Sequence, residues 1–462
     1  MPERAPEFVR ATRSLCPVCL ETVPARLLAG GDQVTLAGEC STHGAWQTVV
    51  WAGPPSFRSW CGDDPIAAAR QTCTAVVEVT RDCDLGCPVC FAVSPAPEPG
   101  ADPSVTRLAK RFAELFASEG EVNIQLSGGE PTTRDDVPEI VEAARAAGFT
   151  FVQLNTNGLR LAAEDGYAEA LRAAGLASVF LQFDGLSDDT YRSLRGRPLL
   201  TQKLRAVERC AEAGLAVVLV PTVVPGVNDG ELGELVRFAA SWAGVVRGLH
   251  LQPISYFGRY PGGAAPQAGA REGSGISGGE TRPRATLPDL LRALEQQTAG
   301  EVQVDHFAPS CCEHVRCSFR ARYWVREGGA LEPVRAASCC CSPELAPALP
   351  AEEIPRKAVA ATSRQWTRRE HIVPVAEIAA AEAADAGSPD GQDGLSRFLA
   401  DADRILAISG MLFQDAWSID MERIDRCCVQ VVTDPSDRAP GGLVPFCLWN
   451  LTSASGERLY PR

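Results

Sequence analysis

Cys83, Cys87 and Cys90 stand in RDCDLGCPVCFAVS, residues 81–94, three thiols on a short loop-like stretch. A structural zinc site closes with a fourth protein ligand. The next cysteine along the chain is Cys210, in TQKLRAVERCAEAGL, which reads as a helix carrying a buried thiol. Three thiolates suit a [4Fe–4S] cube in which three irons are held and the fourth stays open to a small molecule.

A second set of ligands is complete. Cys16 and Cys19, then Cys40 and His43, form two knuckles about twenty residues apart, the ribbon pattern of a tetrahedral site for zinc or rubredoxin-like iron. The C-terminal thiols group as 311/312/317, 339/340/341 and 427/428/447, more than two four-thiolate clusters need. Cys312, Cys317, Cys339, Cys340, Cys341, Cys427 and Cys447 are the candidates for one or two auxiliary [4Fe–4S] clusters. Adjacent residues in an extended chain point opposite ways, so Cys339 and Cys341 can share a site while Cys340 faces elsewhere.

These residues need elements to hold them. Between 74 and 255, short apolar runs alternate with helical patterns: TAVVEVT, VNIQLSG, FTFVQLN, ASVFLQFD, AVVLVPTVV and VRGLHLQPIS are the runs. Their continuity predicts parallel strands covered on both faces. Six βα units predict an α/β fold, a partial (βα)6 TIM-like barrel. The triplet follows the first strand directly, at the C-terminal end where such sheets carry their active face. The expected organisation is a metal-knuckle domain over 1–70, the barrel over 71–260, a linker over 261–283 and a cysteine-rich C-terminal extension over 284–462. The Gly-rich 261–283 and the Ala/Asp/Gly-rich 380–394 lack periodicity.

Composition bounds the partners. A chain of 462 residues with 45% hydrophobic and 22% charged content is an ordinary globular one. Its formal charge of −14 argues against nucleic acid, which needs basic surface. MPERAPEFVR has no apolar core, and no apolar run reaches the roughly 18 residues of a membrane span. Of eighteen cysteines all but Cys61, Cys73 and Cys210 cluster, which reads as metal ligands in a reducing compartment, so a cytoplasmic location is expected.

With the strand ends in view, the chain resembles the radical S-adenosylmethionine (SAM) superfamily. LSGGEP (126–131), LNTNG (154–158), QFDGLSDDTYRSLRG (182–196), PTVVPGVND (221–229) and LQPISYFGR (251–259) follow the triplet in the family's order. The resemblance implies that SAM chelates the open iron and that Gly128, Gly129, Glu130, Asn155, Asn157 and Asp184 surround it. It also implies cleavage of SAM to a 5′-deoxyadenosyl radical, oxygen sensitivity and a low-potential donor such as flavodoxin or ferredoxin. CEHVRCSF, FQDAWSIDMERIDRCC and the ending LVPFCLWN further resemble the lineage of tetraether-lipid synthase and class D methylases, with TrsS-type radical SAM (seleno)proteins nearest in pattern. One departure stands out: WCGDDPIAAARQTCT, where that lineage carries another cysteine motif, keeps only Cys61 and Cys73. The implied reaction is C–C bond formation or methylation at an unactivated carbon of a lipid or cofactor-like substrate. A peptide-modifying maturase and a non-enzymatic iron–sulfur carrier are the alternatives. His250 and His314 read as structural, and Tyr256 and Tyr260 as pocket-lining aromatics.

Overall fold

A computed structural model describes residues 6–62, 72–92, 102–260, 282–310, 313–334, 359–360, 362–363, 365–367, 404–434 and 442–460. Two sheets carry the described chain. The first is antiparallel in chain order: β1 (Glu7–Leu15), β2 (Thr22–Gly30), β3 (Gln33–Cys40) and β4 (Gly44–Ala52). One face alternates inward with Val23, Ala25 and Leu27 buried, as a half-covered antiparallel sheet requires. Two of its three hairpin turns, β1–β2 and β3–β4, are the knuckles, so local strand pairing is enough to bring Cys16, Cys19, Cys40 and His43 together.

The second sheet begins with β5 (Thr74–Thr80), β6 (Asn123–Gly128), β7 (Val152–Thr156), β8 (Ser178–Gln182) and β9 (Ala216–Val220). The short β10 (Thr222–Val223) and then β11 (Val246–Pro253) follow. All neighbours from β5 to β9, and β9 with β11, are parallel. The expected six βα units are therefore present and in order. Helices return the chain along the outside, including Val105–Glu119, capped by the Ser104 side chain and stopped at Gly120.

The strands differ from expectation in one respect. Their outward residues Ile124, Leu126, Val152, Leu154, Val179, Leu181, Leu249 and Leu251 are fully buried beneath the helices. Many of the inward residues are polar, Asn123, Gln125 and Ser127 on β6, Asn155 on β7, Gln182 on β8, His250 and Gln252 on β11, with Val76, Phe180 and Val220 among them as apolar lining. They alternate with the apolar set because the barrel interior is a cavity and not a packed core.

The C-terminal part is built into this sheet. Strand β14 (Ile405–Met411) lies parallel to β11, and antiparallel β12 (Ser318–Val325) with β13 (Leu331–Pro333) continues that edge. At the opposite edge β15 (Val429–Thr433) lies parallel to β5, followed by antiparallel β16 (Gly442–Pro445). The extension thus flanks the barrel on both sides. The ribbon rests on the same part: Ser14 Oγ donates to Ile419 C=O at 2.7 Å, Ala454 N–H to Pro17 C=O at 2.7 Å, and Arg10 pairs with Glu422 at 2.8 Å. Residues 261–281 and 380–394, with Cys311, Cys312, Cys339, Cys340 and Cys341, lie outside the described residues. Among the described residues no helix is long and apolar enough to cross a membrane.

Candidate active site

Three cysteines share one corner. Cys83, Cys87 and Cys90 line a cavity of about 300 Å³ at the C-terminal ends of the barrel strands and pack against Leu85, Tyr191 and Leu199. Burial pushes the Cys83 thiol up to about 12 and raises Cys87 as well. Ligation by a metal would release those protons, and soft thiolates in an apolar corner fit an iron–sulfur group.

The neighbouring glycines act on this corner in an unexpected way. Gly129 N–H donates to Thr80 C=O at 3.0 Å and Glu130 N–H to Asp82 C=O at 2.7 Å. A Cβ on Gly128 would sit 2.1 Å from the Thr80 oxygen, and one on Gly129 would sit 2.1 Å from the Asp82 oxygen. The close approach that demands glycine is therefore to the root of the cysteine loop, which these two residues pin in place.

Glu130 is buried, at 2% exposure, and its carboxylate is the hub of this side of the site. Oε1 accepts from Thr132 N–H at 3.1 Å, Thr132 Oγ1 at 2.7 Å and Thr156 Oγ1 at 2.6 Å, while Oε2 accepts only Asn157 N–H, at 2.6 Å. Desolvation raises its pKa against those four bonds. Oε2 keeps a lone pair for a cationic partner. The Asn157 side chain donates to Asp84 inside the cysteine loop at 2.6 Å. Asn155 lines the cavity, and its Oδ1 has no hydrogen-bond partner among the described residues.

Asp184 is differently placed from the expected SAM contact. It is fully buried and forms a two-point pair with Arg195, Nε to Oδ2 at 2.7 Å and Nη2 to Oδ1 at 2.6 Å. Thr222 N–H adds a bond at 3.0 Å, so the carboxylate is spent inside the wall. Arg195 is the residue that lines the cavity. It donates to Val89 C=O at 2.9 Å, between two of the cysteines, and its charge acts on Cys87 and Cys90. Burial is the largest single influence and works against that charge, but Asp184 together with Cys87 and Cys90 outweighs it and the pKa is raised. Lys203 lies behind, fully buried, donating to Asn157 C=O at 2.5 Å and Gln182 Oε1 at 2.9 Å. Desolvation lowers its pKa to about 8. Sequence reasoning missed both cations; their one signal was a pair of basic residues facing Asp184 across the turn at 196–199.

The ribbon site is compact. The ligand atoms of Cys16, Cys19, Cys40 and His43 lie within 4.8 Å of one another, and His43 Nδ1 is 3.5 Å from both Cys16 and Cys40 Sγ. Burial raises the Cys16 thiol to about 11. At Cys40 burial acts upward too, but the amides of Thr42 and His43 and the His43 ring bring it to about 6. Three thiols and an imidazole at this spacing fit a tetrahedral zinc.

The described auxiliary candidates separate from their neighbours. Cys317 accepts from Arg423 Nε at 3.2 Å, Cys447 accepts from Gln414 N–H at 3.3 Å, and Cys317 and Cys427 both act electrostatically on Cys447. Cys428 turns the other way. It packs with Cys73 and Val359, and its C=O accepts from Cys73 N–H at 2.9 Å. The adjacent pair 427/428 thus serves two places, as alternation along an extended chain dictates.

A barrel with three cysteines just after its first strand, a Gly-Gly-Glu segment ending the second and a zinc-ribbon-like N-terminus is the architecture that the radical SAM resemblance implies. Residues 77–239 match the Radical SAM superfamily, and residues 8–52 match the HMPTM N-terminal zinc ribbon domain. The chain is 29% identical to the 7,8-dihydro-6-hydroxymethylpterin dimethyltransferase of Methanocaldococcus jannaschii over 501 residues, covering 96% of this chain and 93% of that one. It is 30% identical to a probable GTP 3′,8-cyclase of Archaeoglobus fulgidus over 190 residues, 40% of this chain and 62% of the relative. Streptococcus suis SuiB bound to precursor peptide SuiA aligns over 40% of each chain at 18% identity and a TM-score of 0.34, too slight a likeness to bear on function.

Proposed function

We propose that Cys83, Cys87 and Cys90 hold a [4Fe–4S] cluster whose fourth iron binds SAM, and that the enzyme functionalises an unactivated carbon of a small molecule lodged in the barrel. The observation that carries this reading is the convergence of the three thiols with Glu130, Asn155, Asn157 and Arg195 on a single cavity. When bound, cluster and SAM supply a 5′-deoxyadenosyl radical; the protein supplies position and exclusion of water. Glu130 Oε2 would accept a bond from the SAM ammonium, and Arg195 would offer its guanidinium to the SAM carboxylate. Asp184 aims and charges Arg195 without touching SAM. Gly128 and Gly129 fix the cysteine loop against the second strand.

The dimethyltransferase relative, similar over nearly the whole chain, favours methylation over other C–C bond formation and a cofactor-like substrate over a lipid or a peptide. An auxiliary cluster on Cys317, Cys427 and Cys447 is supported by the electrostatic reach of Cys317 and Cys427 to Cys447, and zinc at Cys16, Cys19, Cys40 and His43 by the ribbon geometry. A low-potential flavodoxin or ferredoxin would reduce the cluster. Among the described residues no disulfide forms, which suits a reducing cytoplasm.

Anaerobic reconstitution, then incubation with SAM and a strong reductant, tests this reading. The expected product is 5′-deoxyadenosine. A reconstituted protein that forms neither it nor any other SAM cleavage product would be an iron–sulfur carrier and not this enzyme.

A further inference from the structure

The segment that leaves β11 is fixed point by point. Ser255 Oγ donates to Phe413 C=O at 3.0 Å, Tyr256 N–H to Asp415 Oδ2 at 2.8 Å and Gly258 N–H to Thr452 Oγ1 at 2.8 Å. Arg259 then pairs with Cys90 in an antiparallel bridge, each N–H donating to the other's C=O at 2.9 Å. Residues opposed in this way carry their side chains on the same face, with Cβ atoms roughly 5 Å apart. Cys90 lines the cavity, and so does Arg259. A cation is thereby set beside the third thiol of the cysteine loop.

The guanidinium of Arg259 makes no hydrogen bond or ion pair among the described residues, and its Nε is buried without a partner. Arg195, the other cation at this corner, is in the opposite condition. A guanidinium carries five N–H donors. Arg195 has committed four, two to the Asp184 oxygens, one to Val89 C=O and one to Thr222 Oγ1. Arg259 has committed none, although its own backbone and that of the residues before it are held at every step. Leaving a buried donor unmet is costly, so this charge is placed for a partner that the protein does not supply.

We propose that Arg259 holds an oxyanion group of the substrate, a carboxylate or a phosphate, in a two-point grip beside the cysteine corner. The proposal rests on the radical SAM reading above and deepens it by naming a charge that the substrate must carry. The planar guanidinium fork matches either oxyanion bidentately. An uncharged alkyl chain would leave the fork unmet, and a cationic substrate would be repelled by it. SAM brings one carboxylate, for which Arg195 keeps its remaining donor, so the open fork of Arg259 serves a second anion. A group anchored there ties one end of the substrate to the cavity's cysteine end. The carbon that reacts is then set by its distance from that group.

Equilibrium dialysis of the reconstituted, SAM-loaded enzyme against inorganic phosphate and, separately, acetate tests it. At least one of the two should bind saturably, and the tighter one names the substrate's group. Arg259→Gln should weaken that binding by about tenfold or more, the loss expected for charge-assisted bonds. Arg259→Lys, which keeps the charge and loses the fork, should fall between Arg259→Gln and the parent. Iron content and the change that SAM makes in the electron paramagnetic resonance spectrum should match the parent in both variants. No saturable binding of either anion, or unchanged affinity in Arg259→Gln, would overturn the proposal. Loss of iron or of the SAM response in both variants would overturn it too, by making Arg259 a cluster or SAM residue. Formation of 5′-deoxyadenosine by the parent protein is scored in parallel. Cleavage without anion binding sinks this inference alone, whereas no cleavage sinks the reading beneath it.

Discussion

The ribbon site and the barrel-mouth site are both cysteine constellations, yet they are built in opposite ways. In the ribbon, four ligands come from two hairpin turns of one small sheet, and their ligand atoms lie within 4.8 Å of one another. At the barrel mouth there are three thiols on one loop, and the groups around them come from other elements: Glu130 after β6, Asn155 on β7, Arg195 at the end of the helix after β8. A closed ligand set made by local pairing can hold a metal and do no more. An incomplete set at the mouth of a cavity, completed by charges borrowed from distant elements, is arranged to bind something that reacts.

That contrast can be broken by substitution. Cys90→Ala should abolish SAM cleavage while leaving the ribbon metal bound, as read by 5′-deoxyadenosine assay and metal analysis. Loss of both metals together would contradict the separation. Gly129→Ala places a Cβ against the Asp82 oxygen and should lower cluster content and activity by about tenfold or more, since backbone must move on both sides. Cys40→Ser should lose the ribbon metal and lower the melting temperature, because the ribbon rests on the C-terminal segment through Ser14 and Pro17. Its cluster absorbance should remain.

The smallest effect concerns pH. His250 has its pKa lowered to about 4 by burial, against about 6.5 in the unfolded chain. The unfolded state therefore binds the extra proton between those values, and stability rises as pH increases from 4 to 6.5 and is lost on the way back down. The group is worth about 3 kcal/mol at most over that window. His250→Gln should flatten the urea-stability profile between pH 4.5 and 6.5 relative to the parent, and an unaltered slope would show that the ring is not held neutral.

Much of this was legible because it is local. The six strands, their order and the cysteine loop at the end of the first follow from apolar runs, glycine stops and spacing. So does the ribbon, whose ligands are set by two hairpins. What was hidden depends on pairing across long separations. Nothing in the C-terminal sequence says that β14 joins β11 while β15 joins β5 on the opposite edge. Asp184 reads as a ligand contact until Arg195, one helix later, is seen to take both its oxygens. Gly128 and Gly129 line the cavity, and the close approach that demands glycine there, to the Thr80 and Asp82 carbonyls, was not visible in the sequence. His250 read as a hydrogen-bonded structural histidine, and its partner, Ser409 on β14, lies far from it in sequence. The auxiliary candidates Cys312, Cys339, Cys340 and Cys341 fall outside the described residues.

The account's central claim is that one cysteine site is open and the other closed. Electron paramagnetic resonance of the reduced, reconstituted protein, with and without SAM, tests it most directly. SAM should shift the cluster spectrum of the parent protein and of Cys40→Ser alike, and Cys90→Ala should lack that signal. A cluster spectrum indifferent to SAM, or one that survives in Cys90→Ala and vanishes in Cys40→Ser, would contradict it.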